Sequence, residues 1–203
     1  GTLPLGPPKG TFVGVPDEEV RKMLSDNFLN PDNVVLEQNS PIVNTGDKLI
    51  LFDTGMGTSK AFGPTTGRQQ KSMAEAGIKP GDIDAVVCSH AHIDHSGLLP
   101  RLVALGFRGM IYTTRATCDL LAVMLPDSAH IQEKEAEYAN LNRFRKDMDR
   151  RNKKSGLPQR DIAPLYTVAQ AQASLRQLNP VDYDLEIAPH PQVRCTFRDA
   201  GHI

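Results

Sequence analysis

The stretch that most constrains this chain runs from residue 83 to residue 95. Ile83 to Cys88 reads as a buried β-strand, and it delivers the chain directly into Ser89-His90-Ala91-His92-Ile93-Asp94-His95. A strand apolar on both faces belongs to a layered α/β sheet. The loop after it holds three of the chain's six histidines. In extended or turning backbone, residues two apart point to the same side, so His90 and His92 can offer imidazole nitrogens to one metal. Asp94 and His95, one turn further on, can reach a second metal beside it. Imidazole and carboxylate donors suit zinc, with manganese or iron as substitutes, because ligand type alone does not separate them. So dense a set is poorly explained as incidental histidines of a polar loop.

Around this stretch the pattern alternates strand and helix. Asn33 to Glu37, Pro41 to Asn44 and Lys48 to Phe52 are β-rich, and Thr45-Gly46-Asp47 is a hairpin turn signal between the last two. The run Leu49 to Phe52 stops at Asp53-Thr54-Gly55, where the chain must turn sharply. A helix is expected from about Thr66 to Ala76, closed by Gly77. Leu98 to Leu105 reads as a short helix and Met110 to Thr113 as a strand. From Ala116 to about Arg151 the pattern is helical with a break at Pro126, and Ile131, Tyr138, Leu141, Phe144 and Met148 form an apolar stripe. Asn152 to Pro164 reads as a mobile connection. Thr167-Val-Ala-Gln170 is a capping box opening a helix to about Leu178, and Val193 to Arg198 is the last strand.

At 203 residues, 39% apolar, the chain is expected to form one domain over 1–203, with an N-terminal arm over 1–32 and a helical insertion over about 116–164. The arm holds one short helical pattern around Glu18 to Leu24. A formal net charge of −1 supplies no global field for nucleic acid. The basic residues from Arg143 to Lys154 are interrupted by Asp147 and Asp149 and read as a solvated helix end. Cys88, Cys118 and Cys195 lie far apart, which argues against a disulfide framework and points to buried thiols in a reducing, cytoplasmic setting. A secretory leader removed before residue 1 is also compatible with the sequence. No apolar run reaches the roughly 18 residues a membrane span needs. His130 reads as structural, His190 as a loop residue, and Ser89 and Ser96 as scaffold.

The pattern His90-x-His92-x-Asp94-His95 after a strand, preceded by a strand ending Phe52-Asp53-Thr54-Gly55 and followed by Ala200-Gly201-His202, resembles the signature of the metallo-β-lactamase superfamily. The resemblance implies an αββα sandwich with metals at one edge, His90, His92 and His202 on one metal, and Asp94 and His95 on a second. Asp53 would orient the metal loop by hydrogen bonds. Residues 32–83, with Leu-Phe-Asp-Thr-Gly and Phe62-Gly-Pro-Thr-Thr-Gly-Arg, resemble the lactonase and organophosphate-hydrolase branch. Residues 89–203, with Asp127-Ser-Ala-His-Ile-Gln, Glu137-Tyr-Ala-Asn and Asp199-Ala-Gly-His-Ile, are similar to β-CASP ribonucleases, a resemblance truncated after the third metal-site histidine. The chain is therefore either a recombinant of two relatives or one lineage carrying both sets of motifs.

What the resemblance implies is a hydrolase that cleaves an ester-like bond with hydroxide on one or two zinc ions, Asp94 orienting the nucleophile or shuttling its proton. Phosphodiester hydrolysis, on a small phosphoester or a nucleic-acid fragment, is the first expectation. Lactone or organophosphate hydrolysis is the alternative, and a non-catalytic metal-binding remnant is the third reading. The family's later strands and second-metal ligands do not follow His202 in this sequence. That leaves the sandwich incomplete in one chain, with one sheet face bare, and an apolar face of that size drives association. A homodimer pairing identical faces is therefore expected to complete the fold.

Overall fold

The computed structural model describes residues 2–55, 57, 65–150 and 161–201, with side chains left aside over 146–150. At its centre is a five-stranded sheet built from β3 (Ile42–Asn44), β4 (Leu49–Phe52), β5 (Ala85–Val87), β6 (Met110–Thr114) and β7 (Leu178–Val181), in that order. β3 and β4 form the expected hairpin. Thr45 N donates to the Lys48 carbonyl at 3.0 Å, and Gly46 takes φ 99°, a left-handed value that glycine adopts without a Cβ penalty. The pairs β4–β5, β5–β6 and β6–β7 are all parallel, so each needs a crossover, and helices supply them.

The first crossover carries α2 (Gln69–Glu75), shorter than the sequence pattern, with Ala76 as its cap and Gly77 at φ 73° just beyond. The second carries α3 (Ile93–Ser96) and α4 (Leu99–Ala104). The third carries α5 (Arg115–Arg150) and α6 (Val168–Leu175). The capping box forms as expected: Gln170 N donates to Thr167 Oγ1 at 3.2 Å and Thr167 N to Gln170 Oε1 at 2.9 Å. Thr167→Ala should therefore lower stability by about 1 kcal/mol, read from the shift of a urea midpoint at unchanged slope.

Strand alternation sends the core to both sides of the sheet. Leu51, Val86 and Ile111 face the helices, where Leu99, Leu102, Phe107, Leu121, Leu125 and Ala171 pack with them. Ile50, Ala85 and Val87 face the other way and meet Phe197, with Ile187, Val193 and Cys195 packed against that cluster. These last residues belong to, or adjoin, an antiparallel hairpin of β8 (Glu186–His190) and β9 (Val193–Thr196). The chain's own hairpin thus covers the middle strands: Ile50 is 0% and Val87 6% exposed. Over these strands the face expected to be bare is covered from within the chain. Among the described residues, the layer opposite the helices is this hairpin rather than a second full sheet with its own helices.

Several local expectations are corrected. The N-terminal arm contains a strand as well as the expected helix: β1 (Thr2–Gly6) pairs antiparallel with β2 (Val34–Glu37), and α1 (Asp17–Asp26) lies between them in sequence. α6 ends at Leu175 and Leu178 opens β7 instead. Both β7 and β8 contain a proline, Pro180 and Pro189, which masks a strand in sequence; β7 lies at the edge of its sheet and β8 in a two-stranded ribbon, where a missing donor is tolerated.

Helix α5 runs through Pro126 without breaking. Leu121, Leu125 and Ala129, on one face either side of the proline, are all 0% exposed, and their burial offsets a proline cost of roughly 3 kcal/mol. The apolar stripe read from the sequence is on the other side, with Ile131, Tyr138, Leu141 and Phe144 each at least half exposed. Met148 lies outside the described side chains, as do most of the basic run and the first part of the connection expected over 152–164. Of the three cysteines, all unpaired, only Cys88 is fully buried. No helix among the described residues is long and apolar enough to cross a membrane.

Candidate metal centre

β4 and β5 are parallel neighbours, so their C-terminal ends emerge side by side. β4 ends at Phe52, and the next residue, Asp53, has a left-handed φ of 56°, a conformation aspartate adopts more readily than most residues. That turn brings the Asp53 carboxylate back over the end of β5. Its Oδ1 accepts the Ser89 backbone N–H at 2.7 Å, and its Oδ2 lies 2.8 Å from both Ser89 Oγ and His95 Nδ1.

The next residue clamps the loop from behind. Thr54, 1% exposed, donates its backbone N–H to the His95 carbonyl at 2.6 Å, and its hydroxyl oxygen accepts the Leu98 N–H at 3.1 Å. Within the loop, buried Ser96 donates its hydroxyl to the Ala91 carbonyl at 2.7 Å. Gly97 completes the tight turn, since a Cβ there would stand 2.3 Å from the Ile93 carbonyl oxygen. The polar groups of residues 89–98 are thus held by short local bonds and by two residues at the end of β4.

This scaffold gathers the side chains that the sequence singled out. His90 Nε2 lies 3.2 Å from His92 Nδ1, and His95 Nε2 lies 3.5 Å from Asp94 Oδ2. The His90 and His95 rings are 4.1 Å apart between centroids, so the two pairs share one corner of the molecule. Two donor atoms at about 2.0–2.1 Å from one tetrahedral zinc stand roughly 3.3 Å from each other. Each pair therefore has the separation of two ligands on one cation. Among the described residues no three His, Cys, Asp or Glu side chains are arranged to hold a single ion. His202, expected as the third ligand beside His90 and His92, lies outside the described residues.

The electrostatics follow from Asp53. Its hydrogen bond raises the His95 imidazole above the ordinary histidine value, outweighing burial, which acts the other way; the nearby charges of Asp53 and Asp94 add to the rise. Cys88 sits directly behind the loop with its thiol pushed far up by burial, so it supplies no thiolate. Gln38 and Thr54 have no role assigned from the sequence, and Ser89 reads there as scaffold. Gln38 donates to the Asp94 carboxylate at 2.9 Å and to its carbonyl at 2.6 Å from across the pocket, at a separation no local pattern reveals. Thr54 and Ser89 stand next to Asp53 and His90 in sequence, and that adjacency to strand ends was the available signal.

In front of the cluster is a pocket of about 490 Å³. The β1–β2 ribbon supplies Leu3, Leu36 and Glu37 to its wall, while His92, Asp94 and His95 form its floor. No lysine or arginine lines it among the described residues.

Comparison with known proteins places this geometry in a family context. A ribonuclease of Thermus thermophilus is 36% identical over 88 residues, which is 43% of this chain and 19% of the relative. Transcription termination factor FttA of Methanocaldococcus jannaschii is 27% identical over 164 residues, 79% of this chain and 21% of the relative. The chain thus spans about a fifth of the length of these relatives. Among solved structures, AidC, a dizinc quorum-quenching lactonase, aligns over 94% of this chain and 58% of that one, with 24% identity and a TM-score of 0.48. Residues 34–107 match the model of the metallo-β-lactamase superfamily. The segment that carries Asp53 and the cluster from His90 to His95 is therefore a metallo-β-lactamase superfamily domain.

Proposed function

We propose that the chain is a divalent-metal-dependent hydrolase whose first substrate class is the phosphodiester. The observation that carries this reading is the convergence of two ligand pairs, His90 with His92 at 3.2 Å and Asp94 with His95 at 3.5 Å, beside a pocket whose floor is His92, Asp94 and His95. On this reading His90, His92 and His202 would hold one cation and Asp94 and His95 a second, with zinc favoured by the nitrogen and carboxylate donors and manganese or iron as substitutes. A divalent cation in such a site polarises a phosphoryl or carbonyl oxygen and brings the pKa of water down toward about 7.

The chain's own residues do the positioning. Gln38 holds one Asp94 oxygen by donation, which orients the carboxylate that would receive or pass a proton at the reacting centre. Asp53 accepts from His95 Nδ1, which turns the opposite nitrogen, Nε2, toward Asp94. Leu3 and Leu36 reduce water access on one side. Phosphodiester chemistry is favoured by the similarity to a protein named a ribonuclease and to a transcription termination factor.

A second reading, hydrolysis of a lactone or a neutral organophosphate ester, is favoured by the pocket wall. A phosphodiester anion is commonly met by lysine or arginine, and the described lining offers leucine and glutamate instead. Turnover of bis(p-nitrophenyl) phosphate beside a lactone panel, each with and without chelator, decides among these. We expect phosphodiester turnover that chelator abolishes and added zinc restores. Lactone turnover alone would replace the first reading by the second. Metal uptake without turnover of either would leave a binding domain that does no chemistry.

A further inference from the structure

Ser89 stands where three of the centre's groups meet. Its backbone N–H donates to Asp53 Oδ1 at 2.7 Å, and its hydroxyl oxygen is 2.8 Å from Asp53 Oδ2, 2.9 Å from His90 Nδ1 and 3.4 Å from His95 Nδ1. The hydroxyl has one proton and two lone pairs, whereas a carboxylate only accepts. The proton must therefore go to Asp53, since two oxygens at 2.8 Å with no proton between them would repel. Having given it away, Oγ can only accept from His90 at 2.9 Å, so Nδ1 of His90 must carry a hydrogen. Asp53 imposes the same state on His95 directly, because Oδ2 at 2.8 Å requires a proton on His95 Nδ1.

We infer that Ser89 is a positioning residue: it relays the acceptor character of Asp53 to His90, fixing the tautomer with hydrogen on Nδ1 and the lone pair of Nε2 directed at His92 Nδ1. One carboxylate at the end of β4 then sets both imidazoles of the centre, His95 directly and His90 through one hydroxyl. The second nitrogen of a metal-ligating histidine needs such a partner to hold ring and tautomer. The inference rests on the proposed metal site only where it predicts affinity. The tautomer itself is a property of the metal-free protein.

The test uses the full chain with Ser89→Ala and Ser89→Thr. Nitrogen-15 spectra of the histidine side chains, taken after chelator treatment at alkaline pH where imidazoles are neutral, read the His90 tautomer. Cobalt(II) affinity is measured by competition with a chromophoric chelator. We expect hydrogen on Nδ1 of His90 in the wild type and in Ser89→Thr, and movement toward the Nε2–H form in Ser89→Ala. Cobalt affinity should fall by about 10- to 100-fold in Ser89→Ala and return in Ser89→Thr. The backbone N–H to Asp53 survives the alanine change, so the loop should stay anchored. If Ser89→Ala nonetheless fails to fold, Ser89→Cys, which has a weaker acceptor of similar size, reads the same two quantities. Ser89→Ala with the wild-type tautomer and cobalt affinity within about twofold of wild type would overturn the inference. A wild type that takes up no cobalt would instead remove the metal-site reading, and the tautomer spectra would still decide the role of Ser89.

Discussion

The His90→Ala/His92→Ala double variant is expected to hold no cation at the site these two residues share and to lose hydrolysis to the level of the chelated wild type. Each substitution deletes one nitrogen of a pair 3.2 Å apart, and with both gone His202 is the one expected ligand of that cation left. Neither side chain belongs to the apolar core, since His90 is half-buried and His92 exposed, so the fold should persist and the loss should be chemical. Metal content by mass spectrometry and an unfolding curve on the same sample separate the two. Stoichiometric metal in a folded double variant would show that the cation sits elsewhere. A single Asp94→Asn change is the milder comparison: it keeps the Gln38 contact geometry but removes the charge, and should reduce rate more than cation binding at the His90 and His92 pair.

Gly109→Ala is expected to be the most damaging added methyl among the described glycines. Gly109 precedes β6 and faces Asp84, the residue just ahead of β5: an added Cβ would stand 1.9 Å from the Asp84 carbonyl oxygen and 2.9 Å from the Phe107 ring. The first of these is backbone, and Asp84 is fixed on its other side by bonds to Leu49 and Lys48, so the strands must separate to relieve it. Phe107 is itself 0% exposed in the helix-side core. A cost at or above the upper end of the overpacking range, about 3 kcal/mol, is expected, from urea unfolding. Gly77→Ala is the control. Gly77 has φ 73° and nothing within 4 Å of an added Cβ, so only the backbone penalty of about 1 kcal/mol applies. Equal costs for the two variants would refute the close-approach argument.

The parts of this protein legible in its sequence are those encoded by neighbours in the chain. The buried strand running into His90, His92, Asp94 and His95, the turn at Asp53, the hairpin at Thr45-Gly46-Asp47 and the capping box at Thr167 each depend on residues a few positions apart, whose backbone geometry fixes which side chains share a side. Tertiary structure decided what lies opposite each face. Periodicity along α5 shows an apolar face at Ile131, Tyr138 and Leu141, but the sheet lies under Leu121, Leu125 and Ala129, and only packing says which face finds a neighbour. Alternation in β4 and β5 shows two apolar faces, yet not that Phe197 and the β8–β9 hairpin return to cover one of them. The reach of Asp53 to Ser89 and His95, and of Gln38 to Asp94, spans 36, 42 and 56 positions of chain. Such contacts form because parallel strands end side by side and a ribbon folds over them, a consequence of sheet topology that no local pattern carries.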